Sequence, residues 1–114
     1  ITLGNGTLAS AYREAGNDIN FRIKLTFGST TAITGAPTFT LPVSATAART
    51  VSANVTMFDS SAALATAYET GAAINTTINS MLLRDDASAA ISSTNPFTWA
   101  TSDELVITGT YEAA

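Results

Sequence analysis

The stretch Asp18 to Phe27, reading DINFRIKLTF, decides the fold class. Ile19, Phe21, Ile23, Leu25 and Phe27 alternate with Asn20, Arg22, Lys24 and Thr26 along it. A period of two held that long means a β-strand with one buried face and one face that is wet or shared with a neighbour. In a helix the same apolar residues would be scattered around the circumference.

Upstream, Thr7 to Glu14 (TLASAYRE) places Leu8, Ser10 and Tyr12 on one face. It is joined to the first strand by Ala15-Gly16-Asn17-Asp18, whose Gly-Asn chemistry makes positive φ cheap in a tight reversal. The two segments are predicted to form an antiparallel hairpin, preceded by a turn or bulge at Gly4-Asn5-Gly6. Downstream, Gly28 to Pro37 reads as a loop. Thr38 to Pro42 reads as a short strand that turns Phe39 and Leu41 inward and stops at the proline. Arg49 to Asp59 alternates again, with Val51, Ala53, Val55 and Met57 set against Ser52, Asn54, Thr56 and Phe58.

Ser61 to Glu69 (SAALATAYE) admits either two helical turns or a strand, and strand is the reading that suits the rest of the chain. Ala73 to Leu83 is predicted as a single strand with Ile74, Thr76, Ile78, Ser80 and Leu82 on one face, ending at a charged corner, Arg84-Asp85-Asp86. Ala89 to Thr94 reads as a weak strand, Asn95-Pro96 as a turn, and Phe97 to Trp99 as extended chain. Glu104 to Tyr111 closes the series with Leu105, Ile107, Gly109 and Tyr111 on one face. Seven or eight strands with short connections have the spacing of an all-β, antiparallel β-sandwich of jelly-roll type. No internal repeat or domain boundary interrupts residues 1–114, so one domain is expected.

With 114 residues and 46% hydrophobic side chains, the chain can bury a core without disulfides or metals. Charged residues make up only 12%, about half the usual share of a soluble domain. Thr, Ser and Ala take their place, which suits β-surfaces that pack against other copies of the chain, since few charges need desolvating. The net charge is −4 and the five basic residues, Arg13, Arg22, Lys24, Arg49 and Arg84, are scattered. No basic stripe could follow a phosphate backbone, so nucleic acid is not an expected partner. No apolar run is long enough for membrane insertion as a helix. The Ile1 start, without the charged n-region of a signal peptide, reads as part of a longer polypeptide.

Histidine and cysteine are both absent, which removes the usual general base, the nucleophile–base pairs and the commonest zinc ligands. Two carboxylate pairs stay open to consideration for glycoside hydrolysis, Asp85 with Asp86 and Asp103 with Glu104. Neighbours on a strand point to opposite faces, so neither pair is suited to flank one bond. The acids read as solvated turn residues, and no enzyme activity, metal or cofactor is expected. A calcium site at Asp85 and Asp86 lacks the D-x-[DN]-x-[DN]-G spacing. Asn-x-Thr sequons at Asn5, Asn54 and Asn75 carry little weight in a threonine-rich chain. Tyr12, Phe58, Tyr68, Trp99 and Tyr111 could stack on sugar rings, though for Trp99 packing is the favoured reading.

The opening LGNGTLASAYREAGNDINFRIKLTFGSTT, the following PTFTLPV and the ending PFTWATSDELVITGTYEA resemble the C-terminal domain of bacteriophage minor tail proteins and tail fibres. The likeness is anchored at both ends, while residues 44–92 match loosely. Its motifs are turn, strand and packing residues. It implies a homotrimer at the tip of a tail fibre or tail appendage, joined to an upstream fibre segment, located on the virion and exposed to the host surface. On that footing the expected ligand is a host cell-wall polysaccharide or surface glycan. The candidate contacts are Tyr68, Glu69, Arg84, Asp85 and Asp86, which join aromatic and charged groups at turns. The alternatives are a purely structural trimerisation and folding cap, and an accessory carbohydrate-binding domain of a depolymerase.

Overall fold

The computed structural model describes residues 1–35, 37–60, 68–87 and 89–114, with Tyr68 described for its backbone alone. Among them are seven strands and no helix: β1 (Thr7–Ala15), β2 (Asp18–Thr26), β3 (Thr38–Thr40), β4 (Ser52–Phe58), β5 (Tyr68–Asn75), β6 (Ser80–Asp85) and β7 (Glu104–Glu112). All pair antiparallel in one curled sheet, in the order β1-β2-β7-β4-β5-β6-β3. The β1–β2 hairpin turns on Gly16 and Asn17, with Gly16 at φ 63° and Ala15 paired to Asp18, as its Gly-Asn chemistry requires.

The long alternating strand sits where its pattern demands. Ile19, Phe21, Ile23 and Leu25 are buried while Asp18, Asn20 and Arg22 are exposed. β7 lies between β2 and β4, so Leu25, Leu105 and Met57 stand in one cross-strand row and Ile23, Ile107 and Val55 in the next. Leu25, Leu105, Ile107, Val55 and Met57 are at most 1% exposed, and full burial of such side chains contributes about 1.5–3 kcal/mol each. Phe21 takes the row of Gly109 and meets the Tyr111 ring edge-on at 5.7 Å.

The second half departs from the sequence reading in two places. Ala73 to Leu83 is not one strand: β5 ends at Asn75 and β6 starts at Ser80, paired back on it through Ile74↔Leu82. The inward residues are therefore Ala73, Met81 and Leu83, while Ile74 and Ile78 are 40% and 45% exposed. The reversal is made by side-chain hydrogen bonds that hydrophobic periodicity does not register. Thr77 Oγ1 accepts from the backbone N–H groups of Asn79 and Ser80. Buried Asn75 accepts the Val51 N–H on Oδ1 and donates through Nδ2 to the carbonyls of Ala47 and Thr77.

The second departure is Ala89 to Thr94, which is not a strand. It holds only isolated bridges, Arg84 to Ala90 and Ser92 to Asn95, ahead of a cis Asn95-Pro96 bond. Of the ambiguous segment Ser61 to Glu69, residues 61–67 lie outside the described residues, and Tyr68 and Glu69 open strand β5. In the Thr38–Pro42 region Leu41 is buried and Phe39 half-buried.

The segments quoted for the resemblance at the two ends are in contact with one another. Asn5 accepts the Thr30 N–H on Oδ1 and donates its own N–H to Thr30 Oγ1, while Thr31 Oγ1 donates to the Leu3 carbonyl. Gly4 has φ +55°, and a Cβ there would strike Thr30 Oγ1, so the residue must be glycine on both counts. Phe27 stacks on Trp99 at 4.7 Å, and Phe97 packs on Trp99 at 4.5 Å. At the opposite end of the sheet the Tyr111 hydroxyl donates to the Val43 carbonyl and accepts the Val43 N–H.

Candidate functional site

Glu69, Arg84, Asp85 and Asp86 do come to one end of the sheet. β5 begins where β6 ends, with Gly71 opposite Asp85 and Ala72 opposite Arg84, and the Tyr68 backbone starts the same strand. Glu69 and Asp86 are exposed and Arg84 is partly covered. Asp85 is otherwise engaged. Its Oδ1 accepts the N–H groups of Ala87 and Ala89 at 3.0 and 2.7 Å, and its Oδ2 accepts Asn95 Nδ2 at 3.0 Å. Asn95 also donates to the Ala90 carbonyl. These bonds, that from Asn95 foremost, hold the Asp85 carboxyl below its ordinary value of 3.8, with a smaller contribution from Arg84. Asp85 therefore fastens the Asp86–Asn95 loop to the end of β6, and its acceptor sites are taken by the protein itself.

The other acidic pair is divided in the same way. Asp103 is fully buried, and it accepts the N–H and hydroxyl of Ser60 on Oδ1 and the Ala100 N–H on Oδ2. Glu104 meets Lys24 at 3.1 Å on the outer face. Among the described residues, no group of three or more His, Cys, Asp or Glu side chains is placed to hold a metal ion. Of the sequons, Asn75 is fully buried with its amide occupied, so it cannot receive a glycan in the folded chain.

The feature that the sequence reading missed is an apolar groove at the seam of the curl. β1 and β3, at opposite ends of the strand order, face each other across a volume of about 480 Å³. The cross-strand ladder sets Leu8, Ser10 and Tyr12 on the same side as Leu25, Ile23 and Phe21. Unlike their partners they stay open: every residue of β1 is exposed, with Leu8 at 49% and Tyr12 at 54%. Ile1 and Leu3 add further exposed apolar surface to the groove, and Phe39 and Pro42 form its other wall. The available signal was the alternation in TLASAY, which marks an inward face; nothing local says whether that face is covered.

Comparison with protein-family models, with characterised proteins and with solved structures finds no match.

Proposed function

We propose that this chain is a β-module of a bacteriophage tail fibre or tail appendage whose work is assembly and host-surface attachment, not catalysis. The observation that carries the reading is the bare apolar seam of β1, since a contiguous apolar surface rimmed by polar residues marks a contact site. The sparse charge of the outer strands favours contact with other subunits. The resemblance to tail-fibre C-terminal domains adds the finer picture: the curled sheet closes as a jelly-roll-like sandwich, and three copies gather around a fibre axis. The motif residues act in turns and packing, which suits a domain that holds shape under load.

Sedimentation or light scattering of the purified domain tests this, with a mass three times 11.7 kDa expected. A monomer at micromolar concentration removes the three-fold arrangement. Attachment is tested separately by binding to a panel of bacterial cell walls. Exposed Glu69 and Asp86, beside Arg84 at one end of the sheet, are the candidate contacts. Binding should fall when they are replaced by alanine, and retention of full binding would exclude that end of the sheet. Asp85 is left intact in those variants because its loss would also release the loop.

A further inference from the structure

We infer that β1 is an interface between two copies of this chain, paired edge to edge and antiparallel about a two-fold axis at Ser10. The inference goes beyond the tail-appendage reading and rests on β1 alone. Soluble proteins protect the edges of their sheets with short strands, charges, prolines or bulges. The β3 edge is protected in this manner, being three residues long and followed closely by Pro42. β1 is nine residues long and pairs with β2 in unbroken register, and Thr7 to Tyr12 contains neither charge nor proline. Among the described residues no strand pairs with its outer side.

The composition of β1 selects the occupant and the register. With Ser10 opposite its own copy, Leu8 of each chain stands beside Tyr12 of the other on the groove side. Ala9 then meets Ala11 on the outer side. Arg13 falls opposite Thr7, and Glu14 opposite the Gly6 turn, so all charges stay at the ends of the contact. Centring on Ala11 instead sets Glu14 against Leu8, and centring on Ala9 sets Tyr12 against Gly6. Centring on Arg13 opposes two like charges, which is destabilising. Only the Ser10 register covers both exposed apolar side chains of each chain with an apolar partner.

The absence of cysteine makes the test direct. At a two-fold on Ser10 the paired Cα atoms lie about 4.5–5.5 Å apart, within reach of a disulfide. In the same register two copies of residue 14 are separated by about 27 Å along the strand. Mild oxidation of the native protein is therefore expected to cross-link Ser10→Cys into a dimer and to leave Glu14→Cys monomeric. The double variant Ala9→Lys, Ala11→Lys should lose association in sedimentation while keeping the wild-type circular dichroism. Equal cross-linking at both positions, or a monomer at every concentration, overturns the inference. A three-chain mass without the Ser10→Cys link also overturns it and leaves the tail-appendage reading standing. A two-chain mass with the link supports it and removes the three-fold arrangement; a six-chain mass with the link supports both.

Discussion

Asp103 is fully buried, yet each of its carboxylate oxygens is matched to donors from Ser60 and Ala100. Replacing it with alanine would strand those donors, two of them backbone N–H groups, away from water. Asp103→Ala is expected to lower stability by about 3 kcal/mol, read from urea denaturation. Asp85 acts nearer the solvent, and its signature is a pH dependence. Its folded pKa lies below the unfolded value, so its stabilisation is present above the ordinary carboxylate range and is lost as pH falls through the folded value. Comparing thermal midpoints at about pH 7 and pH 3, Asp85→Asn should show a smaller acid-induced drop than wild type and a lower midpoint at neutral pH. Both acids were visible in the sequence as turn residues. Which donors they meet was not, because Ser60 and Asn95 reach them from distant turns of the chain.

At the level of strands, β2, β4 and β7 were legible because a half-buried strand writes its burial into alternate residues. Gly109 fits that alternation by lacking a side chain: a Cβ there would lie 2.8 Å from Ala53 Cβ and 3.0 Å from the Phe21 ring. Gly109→Ala should therefore destabilise the β2–β7–β4 junction by about 1–3 kcal/mol, measurable by denaturant titration. The β5–β6 hairpin was illegible for a physical reason. Ile74, Ile78 and Leu82 keep an even spacing across the turn, and the reversal is made by hydrogen bonds of Asn75 and Thr77 that leave no mark on the pattern. The groove was illegible too, since a strand's alternation names its inward face without saying what covers it. Among the residues chosen as glycan contacts, the corner was read correctly as a place where acids gather, but Asp85 serves the loop.

For the molecule as a whole, cohesion comes from one continuous apolar core, and charge contributes little. Lys24 and Glu104 are both more than a third exposed, so their pairing is worth about 0.5 kcal/mol at most. Raising sodium chloride from about 0.05 to 0.5 M should leave the denaturation midpoint of the isolated domain nearly unchanged, because screening has little to act on. The ladders also fix where the two ends of the chain emerge. Thr7 and Glu104 flank Thr26 at one end of β2, while Glu112 stands beside Asp18 at the other, where Ala113 is bonded to Asn17. A pull applied through residues 1 and 114 would thus run along the strands and across hydrogen bonds that lie perpendicular to it. All the rungs of the β1–β2 and β2–β7 ladders would have to slide together instead of opening one by one. Stretched between its ends in a single-molecule experiment, the domain should yield abruptly in shear, at a higher force than when gripped through positions 15 and 18 at the mouth of the hairpin turn.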